Sequence, residues 1–236
     1  YDNPNSPIPN CRMLLTNKKK IYLFAEPSKA KNIIVSRKLK THQIFHSDKL
    51  CDVLKKLKQG SIIIDSLSCS VFNENLIIPK FNVASEIDPT YELKSIKNKI
   101  EIKGMIKSHI LDGVALTKFI YWIKNKNKKK ITEINAEKKL EKFRSLNKEY
   151  LYPSFNTIAG SGPNGAIVHY RATKKSNRVI NKKDLFLCDS GGQYKYGTTD
   201  VTRTLCFNKH SNSIKNIYTR VLKGHIAVVS ADLKKY

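Results

Sequence analysis

Leu185-Phe-Leu-Cys-Asp-Ser-Gly-Gly-Gln-Tyr-Lys-Tyr-Gly-Thr-Thr-Asp-Val-Thr-Arg-Thr204 is the densest stretch of the chain. An apolar run leads into Asp189, a turn with Gly191, Gly192 and Gly197 reverses the chain, and a second strand leaves through Asp200. A hairpin centred on Tyr194 and Lys195 would set Asp189 directly opposite Asp200, with Cβ atoms about 4.5–5.5 Å apart on one face. Two like charges placed so, beside a buried strand, repel and hydrate poorly unless a cation sits between them. Carboxylates at this spacing can clamp a pair of divalent ions roughly 3.5–4 Å apart. Oxygen donors without a thiolate suit a hard ion such as Mn²⁺ or Mg²⁺, with Zn²⁺ or Co²⁺ open if a histidine joins. The competing reading has Asp189 capping the turn and Asp200 in solvent, with the register displaced by one residue.

Outward from the hairpin, strands are expected at Phe155–Ala159, Ala166–Tyr170, Leu185–Asp189 and Thr199–Phe207, separated by turns rich in Gly, Pro and Asn. His169 lies at the end of the second. A lone histidine there serves either as a satisfied core residue or as a catalyst. Ser161 and Asn164 sit in a glycine-rich loop, but no following helix or Lys-Ser/Thr pair supports phosphate binding.

Upstream, Ile102, Met105, Ile106, Ile110, Val114, Leu116, Ile120 and Ile123 recur at helical spacing and predict a long helix over about Lys94–Lys124, weakened locally by Gly104 and Gly113. Lys124–Lys130, made of Lys and Asn, reads as a solvated connection. A second helix follows, from an N-cap at Thr132 to Leu146. A last helix, from about Ser213 to Lys235, carries an apolar face that runs from Ile214 to Leu233.

Residues 1–88 alternate short apolar runs with lysine-rich stretches. Ile21–Ala25, Ser61–Asp65 and Phe81–Ser85 read as strands, and Ser47–Lys58 as a helix with Ser47 as its N-cap. Pro89 marks a junction before the long helix.

The chain has 236 residues, 40 % of them hydrophobic, which suits one large domain or two small ones. No apolar run approaches the roughly 20 residues a membrane helix needs, so a membrane partner is excluded. The net charge of +25 rests on 37 Lys and only 7 Arg. Base-reading proteins favour Arg for bidentate contacts. Here Lys is spread along the chain among Ile and Asn, so nucleic acid is expected only as a non-specific, salt-dependent partner. The five cysteines, Cys11, Cys51, Cys69, Cys188 and Cys206, form no C-x-x-C pair. That argues against a disulfide framework and a Cys-based zinc site, and for a reducing cytoplasm.

Phe155–Tyr170, read together with Asp189–Tyr194 and Gly197–Thr204, resembles the aminopeptidase P branch of the pita-bread metallopeptidases, the Xaa-Pro aminopeptidases. Glu101–Trp122 and Ile131–Arg144 resemble the helices that open the family's catalytic domain. The resemblance implies an α/β (α+β) fold in two parts: residues 1–88 as part of a creatinase-like N-terminal domain, and residues 89–236 as the first half of a pita-bread catalytic domain. It implies hydrolysis of the bond between an N-terminal residue and a following proline. It also implies two divalent metal ions, Mn²⁺ before Zn²⁺ or Co²⁺, peptide substrates with proline in second position, and a homodimer when the protein is intact.

Carried over residue by residue, the resemblance makes Asp189 a ligand of one metal and Asp200 the bridge between both. His169 would donate a hydrogen bond near the scissile group. Arg203, pointing away from Asp200 at strand period two, reads as structural. The family completes its site with a His and two Glu further toward the C-terminus, so this chain is expected to be a fragment, inactive alone. The alternative is a non-catalytic pita-bread protein that binds peptides, proteins or nucleic acid, because a fold by itself does not fix function. Retention of both aspartates with His169 favours the enzyme.

Overall fold

Short apolar runs in the N-terminal part form strands joined by helices. The computed structural model describes residues 11–125 and 130–232. Strands β1 (Arg12–Leu15) and β2 (Ile21–Phe24) pair antiparallel, and helix α1 (Pro27–Val35) leads to β3 (Ile44–Phe45), which pairs parallel to β2. Helix α2 (Leu50–Lys56), β4 (Ser61–Ile64), α3 (Val71–Ile77) and β5 (Asn82–Ser85) follow, with β4 and β5 parallel. Parallel neighbours need a crossover, and α1 and α3 lie within these crossovers. Leu54, Ile77 and Phe81 form one small buried cluster in this part, and Phe24 and Ala30 are buried as well. Ser47 lies inside a 3₁₀ turn, Ser47–Lys49, and does not cap α2 as its sequence position suggests.

Helix α4 (Pro89–Ser95) begins on Pro89, where a fixed φ suits the first turn, and the Asp88 carboxylate caps the Thr90 N–H at 2.8 Å. Pro89 therefore opens a short helix of its own. The long helix α5 (Lys99–Asn125) starts at Lys99, later than expected, and residues divide into units Tyr1–Asn98 and Lys99–Tyr236.

In the second unit, α5 is followed by α6 (Glu133–Ser145), β6 (Tyr150–Pro153), β7 (Ile158–Ser161), β8 (Phe186–Ser190), β9 (Gly192–Tyr194), β10 (Gly197–Thr198), β11 (Val201–Leu205) and α7 (Asn212–Val229). β11, β8 and β7 form one antiparallel sheet and β10, β9 and β6 another. Leu116, Phe119 and Ile123 of α5 and Leu140 of α6 pack on Ala159, Phe186, Cys188 and Leu205 of the first sheet. Each such large side chain stabilises by about 1.5–3 kcal/mol when fully buried. Thr132 and Asn135 cap α6 reciprocally: each side chain accepts the other's backbone N–H at 3.3 Å.

Three further expectations change. The buried stripe of α5 is Ser108, Asp112, Ala115, Leu116, Phe119 and Ile123, whereas Ile102, Ile106, Ile110 and Val114 are exposed. The helix is rotated because two polar residues face inward with partners, and apolar periodicity alone cannot register them. At Gly104 a Cβ would lie 2.6 Å from the Tyr196 carbonyl oxygen, so glycine lets α5 approach the hairpin. Second, Ala166–Tyr170 is no strand. Gly162–Ala166 forms a 3₁₀ turn and 167–169 bend onward, with Gly162 at φ +58 and Pro163 unable to donate to a ladder. Third, Phe155–Ala159 and Thr199–Phe207 give way to shorter strands broken near Thr199. The expected connection at Lys124–Lys130 falls largely on 126–129, outside the described residues, as does Leu233. Ser211 caps α7 by accepting the Ile214 N–H, and α7 has no buried residue.

Candidate active site

Alternation along β8 turns Phe186, Cys188 and Ser190 into the core and leaves Asp189 half-buried on the opposite face. Asp189 pairs across the sheet with Thr202 of β11 and Ile158 of β7. Tyr194 pairs with Gly197, and Gln193 with Thr198, in the same register. The hairpin is therefore centred on Lys195 and Tyr196, one residue later than expected, and Asp200 is not directly opposite Asp189. The displacement across the strands is two residues. Asp200 lies in the gap between β10 and β11, two residues before Thr202, the cross-strand partner of Asp189.

Asp200 is exposed and lies just before β11. The backbone beside it is held tightly. The Ser154 hydroxyl donates to the Thr199 carbonyl at 2.8 Å, and the Gly192 N–H donates to Thr199 Oγ1 at 2.9 Å. A Cβ on Gly191 would lie 1.9 Å from the Thr199 carbonyl oxygen, so only glycine permits this approach. The Thr202 hydroxyl donates to Asp189 Oδ1 at 2.8 Å. Sequence reasoning passed over Thr202, and the true register would have revealed it.

His169 is exposed and has φ +53, a left-handed conformation uncommon outside glycine. Among the described residues no group of three or more His, Cys, Asp or Glu side chains is placed to hold a metal ion, so Asp189, Asp200 and His169 are not gathered into one. The two carboxylates nevertheless suit hard divalent ions in kind, Asp189 on the sheet face away from the core and Asp200 exposed just before β11. In number they fall short, because such ions take about six oxygens each.

A family model for metallopeptidase family M24 matches residues 103–234, more than half of the chain. The chain belongs to metallopeptidase family M24. It is 48 % identical over 153 residues to Xaa-Pro aminopeptidase ApepP of Drosophila melanogaster, a match covering 64 % of this chain and 25 % of that protein. It is 47 % identical over 150 residues to a probable Xaa-Pro aminopeptidase P of Paracoccidioides brasiliensis, covering 62 % and 24 %. The X-prolyl aminopeptidase from Caenorhabditis elegans, described as a cytosolic enzyme with a di-nuclear active site, superposes with a TM-score of 0.75 at 25 % identity, over 95 % of this chain and 38 % of that one. Prolidase from Pyrococcus furiosus shares the fold at a TM-score of 0.71 and 21 % identity, over 94 % and 63 %. The chain spans about a quarter of the length of the curated relatives it matches.

Within this M24 chain, Cys188 is no ligand candidate. It lies on the core face, and burial pushes its thiol up to about 11. Arg203 pairs with Cys188 across the sheet, and its Nη1 donates to the Thr202 carbonyl at 2.8 Å. Ser161 and Asn164 serve a buried carboxylate, Glu133, which accepts the Ser161 N–H at 2.8 Å and an Asn164 amide N–H at 3.0 Å. Glu133 was invisible in the sequence, since an acidic residue just after an N-cap reads as a favourable surface charge. Among the described residues no helix is long and apolar enough to cross a membrane.

Proposed function

We propose that the complete protein is a metal-dependent aminopeptidase that hydrolyses the bond between an N-terminal residue and a following proline. The supporting observation is Asp189 on the coreless face of β8, with Asp200 two residues before its cross-strand partner Thr202, in an M24 chain whose relatives are named Xaa-Pro aminopeptidases. Asp189 would hold one divalent ion and Asp200 would bridge it to a second, Mn²⁺ fitting the oxygen donors best with Zn²⁺ or Co²⁺ as substitutes. When bound, such ions polarise a carbonyl and lower the pKa of the attacking water.

The remaining roles belong to side chains. Thr202 orients the Asp189 carboxylate through its hydroxyl. The exposed His169 imidazole donates a hydrogen bond to the substrate beside the scissile group, where negative charge develops. Two carboxylates cannot fill two metal shells, so the reading requires donors beyond Asp189 and Asp200, and the chain alone is expected to be inactive. A homodimeric state, a cytoplasmic location and only non-specific contact with nucleic acid complete the proposal.

The test is release of the first residue from a peptide with proline in second position, by the complete protein with Mn²⁺ added. Turnover is expected, with its loss in Asp200→Asn. A well-folded, metal-loaded protein that leaves such peptides intact would overturn the reading.

A further inference from the structure

We propose that Glu133 is a positioning residue for His169, acting through Asn164 and Tyr170. The inference rests on the reading of His169 as a substrate contact.

Glu133 is fully buried at the start of α6, yet its carboxylate is saturated. Oε1 accepts the Ser161 N–H at 2.8 Å and an Asn164 amide N–H at 3.0 Å. Oε2 accepts the Tyr170 hydroxyl and the Arg178 N–H, both at 2.9 Å. Two oxygens offer about four acceptor sites, and four donors fill them. The donors come from both sides of one segment: Ser161 and Asn164 precede His169, and Tyr170 and Arg178 follow it.

The same segment is tied to the α6 terminus a second time. The Glu133 N–H donates to the Arg178 carbonyl at 3.0 Å, and the Ile134 N–H donates to Asn177 Oδ1 at 3.1 Å. Between the anchors, two tight turns bring the chain round: Ile167 N–H donates to the Asn164 carbonyl and Tyr170 N–H to the Ile167 carbonyl. His169 sits at the end of the second turn with φ +53. A left-handed non-glycine residue persists only where its surroundings over-determine it. Here the next residue is Tyr170, whose ring is buried and whose hydroxyl is bound to Glu133. An inward-facing charge thus fixes where an exposed imidazole stands.

A double-mutant cycle in the complete protein separates positioning from mere stability. Tyr170→Phe removes one anchor and keeps the ring. Glu133→Gln keeps the volume but turns one acceptor edge into a donor that faces two donors. Each is expected to lower kcat by about tenfold to a hundredfold, as small misplacements of a catalytic contact do, with KM little changed. In a His169→Ala background neither should lower kcat further, because the contact being positioned is gone. Equal losses in both backgrounds, or no loss for Tyr170→Phe with His169 present, would overturn the inference. Unchanged kcat in His169→Ala alone would remove the reading of His169 itself, a result recognisable before any change at Tyr170.

Discussion

Asp112→Asn puts the organisation of the second unit to a quantitative test. Arg144 Nε donates to Asp112 Oδ1 at 2.7 Å and Nη2 to Oδ2 at 3.1 Å, with the two side chains 0 % and 1 % exposed. Nη2 also reaches Ser190 Oγ at 3.0 Å, and the Tyr194 hydroxyl donates to Asp112 Oδ1 at 2.9 Å. One carboxylate therefore ties α5 to α6 and β9. Burial disfavours the guanidinium charge, but the hydrogen bond and charge of Asp112 outweigh it and raise the Arg144 pKa. Asparagine keeps the shape, removes the charge and points an amide N–H₂ at donors. Breaking one side of a buried pair costs about 3–5 kcal/mol, against a total stability of about 5–15 kcal/mol for a typical domain. Trp122, the one tryptophan, lies on α5 beside this core, so urea unfolding followed by its fluorescence reports the unit directly. The double change Asp112→Leu with Arg144→Met removes both charges and should be less destabilised than Asp112→Asn alone. A loss below about 1 kcal/mol for Asp112→Asn would show that the pair is not desolvated and refute the argument.

Thr202→Val should weaken Mn²⁺ binding by the complete protein about 10–100-fold, the usual effect of losing a group that orients a metal ligand, while Thr202→Ser retains it; unchanged affinity by calorimetry would show the hydroxyl to be idle. In the first unit, His46 Nδ1 and Nε2 lie 2.7 Å from Asp48 and Glu26, whose hydrogen bonds raise its pKa above 6.5, while His46 lowers that of Asp48 below 3.8. The clip's stabilisation through His46 should be complete below pH 6.5 and be lost as pH rises through the folded pKa, and the Asp48 part should be lost as pH falls through its depressed pKa. NMR titration of His46, with His46→Ala flattening the pH dependence of the first unit's stability, checks this.

The parts legible in the sequence are those where local pattern and tertiary environment agree. Thr132 caps α6 as its chemistry predicts, and β8 forms where its apolar run predicts a strand. The hairpin was legible, but Tyr-Lys-Tyr-Gly offers two neighbouring centres, and the pairing of Gly197 with Tyr194 selects the later one. A one-residue misplacement of the centre moves partners by two, so Thr202 and not Asp200 lies opposite Asp189. Ala166–Tyr170 went the other way. Its apolar run has strand character, but Asn164 and Tyr170 are drawn to Glu133, and that pull winds the segment into turns. Glu133, Asp112 and Arg144 were illegible for one shared reason: charged residues on helices look solvated unless their partners are known.

The exposed faces carry the same lesson in apolar form. Ile217, Val221 and Val228 of α7 are 60 %, 68 % and 76 % exposed, although the helix is amphipathic in pattern and well capped. Periodicity states that a stripe needs cover, worth about 1.5–3 kcal/mol for each large side chain fully buried, but it does not name the cover. The aspartates pose a parallel shortage, since two carboxylates leave most of two divalent shells unfilled. One deficit is hydrophobic and the other is electrostatic, so neither follows from the other. Both fall in the unit that carries the M24 match, and both call for protein groups that the described residues of this chain do not supply.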